Sequence, residues 1–429
     1  MLLLRKTLTN TKKIATNQCQ YNQHLKTWLL KRQIHYDVVI VGGGVMGSSS
    51  AFFLKHKAPS LNVAVVEGDP KYSKSSSSLS VGGVREQFST PENIRLSQWS
   101  SHFMKNIDQY LSIDGEEPCI SFFKSSYLFL ATESGVDILK SNAEIQKNCG
   151  VDIKSVGSDE IHKYFEWVNT DGIAAANIYS GEKEGSFDGW CLLQAFKKKA
   201  EQIGVHYIKG DCQKIDVGTT VKGITVDCDG QAMNIECDSL VNAAGPWAGE
   251  LMSKINLHLP VVPRKRYVFA FDCPKGPGRA APLTVDPTGV YFKPDGQTGT
   301  RYLCGCSPEE DEEPDISNLD VDYDYFESFL WPILAERYRG MEELKVCHSW
   351  AGYYDYNTLD QNCVIGPHPH IQNLYFINGF SGHGIQQSPA AGNAISELIL
   401  EGKYVDIDLT RFQYERILND RPLPEINVV

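Results

Sequence analysis

Asp37-Val38-Val39-Ile40-Val41-Gly42-Gly43-Gly44-Val45-Met46-Gly47 is an apolar run that ends in a G-x-G-x-x-G turn. The run reads as a buried parallel strand. A helix-like segment extends from it to Leu54, and Val63-Ala64-Val65-Val66-Glu67 then reads as a second strand ending in an acid. Strand, glycine turn, helix and acid-terminated strand within one βαβ length predict a dinucleotide site. Gly42 allows the tight turn, Gly44 lets backbone approach a pyrophosphate, and Gly47 lets helix and strand pack closely. The phosphates are expected at the helix N-terminus, among Gly44, Val45 and Met46, where unpaired N–H groups and the helix dipole favour anions. Glu67 lies 20 residues past Gly47 and is placed to accept hydrogen bonds from ribose hydroxyls while disfavouring a 2′-phosphate.

Working outward, a chain of 429 residues is long enough for two intertwined domains around a large core. Residues 1–35 stand apart, with Arg5, Lys6, Lys12, Lys13, Lys26, Lys31 and Arg32 and no Asp or Glu. Such a leader reads as a mitochondrial transit peptide, the alternative being a disordered basic tail. Without those seven cations the formal charge moves from −12 to −19, which makes the body a poor partner for nucleic acid or anionic lipid. The acidic stretch from Glu309 to Asp324, broken by Pro308 and Pro314, reads as a solvated loop and not as a metal site. Twelve scattered cysteines without C-x-x-C spacing read as reduced structural thiols, with no zinc site. Tyr36 to Leu54 mimics a membrane span, but its central glycine turn and Ser48-Ser49-Ser50 fit a nucleotide fold better, so no span is expected.

Past Glu67, the serine-rich stretch Ser73 to Ser80 reads either as flexible low complexity or, from its position, as a loop returning to the cofactor. Thr90-Pro91-Glu92 reads as the capped start of a helix with Leu96, Phe103 and Met104 on its apolar face. Further helices are expected over roughly 133–148 and from Asp188 to Gly204. Ser239-Leu240-Val241-Asn242-Ala243-Ala244-Gly245-Pro246-Trp247 repeats the order strand, glycine turn, helix, so the first domain is read as discontinuous. Tyr267 to Cys306 reads as an antiparallel sheet of a second domain. Asn373 to Asn378, then Gly379-Phe380-Ser381-Gly382-His383-Gly384 and a helix to Leu400, give the same order a third time.

Gly42 to Glu67, Asn242 to Trp247 and Gly379 to Gly384, in that order, resemble the D-amino-acid oxidase family of flavoenzymes over about Tyr36 to Leu409. The resemblance implies non-covalent FAD, and a class that is α/β, or α+β overall: a discontinuous Rossmann-like FAD-binding domain with a second, antiparallel-sheet substrate domain. The expected segments are 36–120, 188–262 and 345–412 for the FAD-binding domain, 121–187 and 263–344 for the substrate domain, and 413–429 for a C-terminal tail. Leu79 to Phe88, Pro263 to Tyr267 and Trp350 to Asn357 further resemble a mitochondrial branch of these proteins linked to assembly of respiratory complex I.

The same resemblance implies the site. FAD is expected on Gly42, Gly44, Val45, Met46, Gly47, Glu67, Ser80, Gly82 and Gly83. Gly245, Trp247, Gly379, Ser381, Gly382, Gly384, Ile385 and Gln386 are expected to complete the set. A glycine loop at a helix N-terminus, Gly382 to Gln386, suits the negative charge of reduced flavin. His383 is either a loop-holding residue or one beside the flavin ring. Covalent attachment positions known in relatives carry Ser80 and Ala351 or Gly352 here. A lysine that activates oxygen in sarcosine oxidases is missing from Tyr302-Leu303-Cys304-Gly305, although Lys293 and Arg301 are near in sequence, which favours a dehydrogenase.

Arg85 is the first choice for a substrate carboxylate, with phosphate neutralisation or a salt bridge as its alternative. Tyr353, Tyr354 and Tyr356 either line the pocket or pack, and Tyr354 joins Arg85 and His383 as the expected catalytic set. Arg264, Lys265 and Arg266 read as a surface cluster. The expected activity is oxidation of a small amino or N-methyl amino acid by hydride transfer to flavin N5, in the mitochondrial matrix, free or associated with the inner membrane. The alternative is an FAD-binding assembly factor whose partners are complex I intermediates, with little or no turnover.

Overall fold

The computed structural model describes residues 34–179, 181–309 and 312–426. The transit-peptide reading of 1–35 therefore lies outside the described residues, except for Ile34 and His35, which already belong to the first strand.

The stretch around the glycine turn folds as expected. Strand β1 (Ile34–Val41) leads through the turn into helix α1 (Val45–Lys57), and β2 (Val63–Glu67) pairs parallel to β1 with Val39 opposite Ala64. Strand β3 (Gln231–Asn242) lies parallel on the other side of β1, and Leu374–Asn378 continues the parallel set beyond it. His206–Lys209 extends the sheet past β2, and the strands Asp211–Val217 and Val221–Cys228 add an antiparallel edge on β3. Val38, Ile40 and Val65 pack on one side of this sheet, and Val39, Ala64 and Val66 on the other. Burial on both faces is why these strands are continuous apolar runs rather than alternating ones.

A second eight-stranded sheet contains β4 (Val261–Asp272) and β5 (Lys345–Asn357), paired antiparallel with Arg266 opposite Gly352. Arg301–Gly305 pairs with β4, and Tyr291–Asp295 pairs with Arg301–Gly305. Along β4 the side chains alternate. Tyr267, Phe269 and Phe271 enter a core that includes Leu334 of the helix Trp331–Arg337, whereas Arg266 and Val268 face a cleft between the two sheets. The third nucleotide-domain segment, expected from residue 345, thus starts later. Residues 345–357 are held in the second sheet because their backbone partners are in β4.

Helix α2 (Gly384–Glu401) packs against α1 so closely that a Cβ on Gly392 would lie 2.2 Å from Ser49 Oγ. The three serines that interrupt the apolar window are buried and bonded to carbonyls, Ser49 Oγ donating to Ser388 O at 2.8 Å. Among the described residues no helix is long and apolar enough to cross a membrane. The helix Pro91–Lys105 begins after Thr90, whose side chain makes no cap bond. The carboxylate of Glu425, buried in the segment expected to be a tail, accepts Ser89 N (2.7 Å) and Thr90 N (3.1 Å) instead.

Candidate active site

The cleft starts at the C-terminal ends of β1 and β2, as the open α/β sheet rule requires. It runs to the face of the second sheet and encloses about 710 Å³. Gly42, Gly44, Val45, Met46 and Glu67 form its first wall. Ser80, Gly245 and Trp247 line its middle, and Gly382, Gly384 and Ile385 its C-terminal wall. Gly83, Ser381 and Gln386 line a smaller chamber of about 60 Å³ that shares Ser80, Tyr291, Tyr354 and Gly382 with the cleft. Gly47, Gly82 and Gly379 are not in either wall; they serve the fold. A Cβ on Gly47 would lie 1.9 Å from Gly42 O, and one on Gly82 1.9 Å from Phe187 O.

Gly44 differs from these. Its φ is −59°, whereas the left-handed residue of the turn is Gly42 (φ +103°). An added Cβ would meet only Ser75 and Ser77 Oγ at 3.6 Å, so the space above Gly44 is the cleft itself. The serine-rich loop does return to this point, since Ser77 Oγ accepts Val45 N at 3.2 Å. Glu67 accepts Gly43 N (2.7 Å) and Asp69 N (2.8 Å), one on each oxygen. Each oxygen keeps a lone pair for a ribose hydroxyl. Burial pushes the Glu67 carboxyl up, against those two N–H bonds. Cleft size, a bare backbone at Gly44, the helix N-terminus and the buried, unpartnered Ser76 hydroxyl together fit FAD.

The small chamber brings together the three residues expected to be catalytic. Arg85 is buried, with its guanidinium 4.1 Å from the Phe88 ring centroid and Nη1 donating to Gln87 O at 2.6 Å. Its backbone N donates to Gln386 Oε1 at 2.7 Å, which ties it to the first turn of α2. His383 is buried with both ring nitrogens unbonded, so it does not hold its loop by hydrogen bonds. Burial, with Arg85 second, depresses its pKa to about 3. Tyr354 packs so tightly on Gly382 (φ +98°) that a Cβ there would be 2.3 Å from its ring. Burial raises the Tyr354 hydroxyl above the usual range, so it stays a donor.

Other site residues have no signal in the sequence. Asp355, next to Tyr354, holds the C-terminal glycine loop: its Oδ2 accepts Gly379 N (2.9 Å) and Phe380 N (3.1 Å), and its carbonyl accepts Ser381 N. Burial raises its carboxyl to about 6 although those N–H bonds pull it down. Tyr127 and Tyr291 reach the chamber from separate strands of the second sheet. Behind it, Glu184 accepts Glu86 N at 2.7 Å and Gln87 Nε2 at 3.3 Å, and burial raises it to about 8. Strand alternation could have proposed such positions, but only once the register was known.

Packing overturns three expectations. Lys265 and Arg266 are buried and not on the surface, because β4 is covered by the acidic segment. Glu313 of that segment is bidentate to Arg266 (2.7 and 2.9 Å) and also bonds Arg264 (3.0 Å), so it is a partner of the sheet and not purely solvated. Finally, a lysine does stand beside Leu303. The hairpin register places Lys293 directly opposite it, buried, on the same face as Tyr291. At the two positions considered for cysteine attachment, Gly352 lines the cleft and Ala351 enters the core of the second sheet.

A family model described as FAD dependent oxidoreductase (DAO) matches residues 37–398. FAD-dependent oxidoreductase domain-containing protein 1 of Xenopus laevis is 44% identical over 427 residues, 92% of this chain and 85% of its own. The protein of the same name from Bos taurus is 43% identical over 89% of this chain and 84% of its own. The crystal structure of L-proline dehydrogenase from P. horikoshii superposes with a TM-score of 0.78, covering 91% of this chain and 100% of that one. At 23% identity, that likeness carries the fold alone.

Proposed function

Because this chain belongs to the DAO family of FAD-dependent oxidoreductases, we propose that it oxidises the C–N bond of a small amino or N-methyl amino acid. The observation that carries this reading is the small chamber in which Arg85, Tyr354 and His383 meet at the end of the cleft. FAD held by Gly42, Gly44, Val45 and Glu67 would supply a two-electron acceptor for the hydride of the C–N oxidation. Arg85, stacked on Phe88 and tied by Gln87 and Gln386, offers a fixed cation to a carboxylate. His383, neutral at physiological pH, accepts or donates a hydrogen bond without adding charge beside a substrate amine. Burial raises the Tyr127, Tyr291 and Tyr354 hydroxyls, so they remain donors.

Support for non-covalent FAD comes from Ser80, Ala351 and Gly352, none of which offers a histidine or cysteine for attachment. Electrons are proposed to leave to an acceptor other than oxygen, a reading that Lys293 puts to the test. Reduced enzyme should reoxidise slowly in air, and equally slowly after Lys293→Met; fast reoxidation abolished by that change would make it an oxidase. The basic leader supports a mitochondrial location, checked by import of a leader-tagged reporter. Docking on complex I assembly intermediates rests on the sequence resemblance and would show as co-sedimentation that survives Arg85→Ala.

The deciding experiment is anaerobic mixing of the purified protein with secondary, N-methyl and D-amino acids. Bleaching of the flavin band by at least one compound is expected. A panel without bleaching, at concentrations well above ordinary KM values, would overturn the proposal.

A further inference from the structure

We infer that Asp355 sets the reduction potential of the flavin, as a fixed negative charge on the cleft wall opposed to the N-terminal end of α2. This role needs FAD in the cleft but does not depend on which substrate is oxidised. Asp355 lines the cleft and is part-exposed to it, while its Oδ2 is clamped by Gly379 N (2.9 Å) and Phe380 N (3.1 Å). The backbone of the same residue takes Ser381 N, and Ser381 Oγ in turn accepts Asn357 N at 3.0 Å. The carboxylate is therefore stitched to the loop that leads into α2 and cannot swing away from the cleft.

Among the described residues no lysine, arginine or histidine forms an ion pair with it. Backbone N–H groups hold it, so its charge is not cancelled by a neighbouring cation.

The electrostatic consequence has a definite sign. A helix N-terminus and a glycine loop favour negative charge in front of them. Here two of the loop's N–H groups are spent on Asp355, and a full unit of negative charge outweighs the roughly half unit of the helix end. Two-electron reduction adds negative charge to the flavin, so Asp355 opposes it and holds the potential down. No residue of the small chamber replaces that effect, because Arg85 is the charged side chain there and has the opposite sign.

The test uses the full flavoprotein and no substrate, in buffer alkaline enough to keep the carboxyl ionised. Asp355→Asn keeps an oxygen for Gly379 N and Phe380 N but removes the charge. Its midpoint potential, measured against reference dyes, should rise by about 30 mV or more, which is a tenfold shift in the two-electron equilibrium. Asp355→Ser, a second neutral variant, should shift the same way, while Asp355→Glu should stay near wild type. Flavin content of Asp355→Asn should match wild type, because the amide oxygen can still accept Gly379 N and Phe380 N; a residue that only clasped the loop would then leave the potential unchanged as well. Neutral variants that keep the wild-type potential, or that fail to hold flavin at all, would overturn the inference.

Discussion

The glycine turn at Gly42–Gly47 and the wall made by β4, β5 and Tyr291–Asp295 face each other across one cleft, yet they are built in opposite ways. In the turn, seven consecutive residues, Val41 to Gly47, make the strand end, the phosphate-facing backbone and the helix start. In the wall, Arg266, Tyr291 and Tyr354 come from three strands far apart in the chain and meet only because of strand register. A local motif encodes its own geometry, whereas a sheet face encodes only an alternation whose partners are set elsewhere. The turn therefore concentrates its sensitivity in single glycines, and the wall spreads it over ion pairs and buried carboxyls.

The largest effect should come from Gly47→Val. Its side chain would start 1.9 Å from Gly42 O, so soluble folded protein should not be recovered. Gly44→Val should behave differently although it is three residues away, since only Ser75 and Ser77 lie near its Cβ. That variant should fold, emerge colourless and melt at lower temperature, losing the roughly 3–4 kcal/mol that a ligand at a hundred- to thousandfold excess over Kd contributes. If Gly44→Val instead misfolds like Gly47→Val, the two glycines do not have separate roles.

On the wall side, Glu184→Gln should be stabilising with a marked pH dependence. The folded chain raises the Glu184 carboxyl from its usual 4.5 to about 8. Its contribution to stability is thus fully present below about pH 4.3 and is lost as pH rises through 8. Glutamine removes that loss, so the gain should be near zero at pH 4.5 and on the order of a few kcal/mol at pH 8. Urea unfolding at both pH values checks it; an equal change at both would mean that Glu184 is not protonated in the fold.

A smaller effect is expected from Glu313→Gln, which leaves Arg264 and Arg266 facing a neutral amide. About 1–2 kcal/mol should be lost, because the pair is mostly buried but one oxygen still accepts. No change in thermal unfolding would return Glu313 to a solvated loop.

The same contrast explains how much can be read without coordinates. β1, α1, β2 and Glu67 are legible because strand, turn, helix and acid are contiguous. The strands ending at Asn242 and Asn378 repeat the pattern and are legible for the same reason. Arg85, Tyr354 and His383 are reached through motifs next to glycines, and the chamber does unite them. Asp355 and Glu184 are not, since an Asp beside a tyrosine and a Glu in a loop are ordinary until burial is known, and Lys293 is noted only as near in sequence until the register sets it opposite Leu303. Arg266 reads as a surface residue because nothing in a run of three cations tells that a segment 47 residues onward covers it.

Flavin in the cleft is the claim on which the rest depends, and the absorbance spectrum of the purified protein before and after acid precipitation tests it most directly. A yellow protein whose FAD passes entirely into the supernatant is the predicted result. Colour retained in the pellet would contradict non-covalent binding, and a protein purified without flavin absorbance that also fails to take up added FAD would contradict the assignment of the cleft.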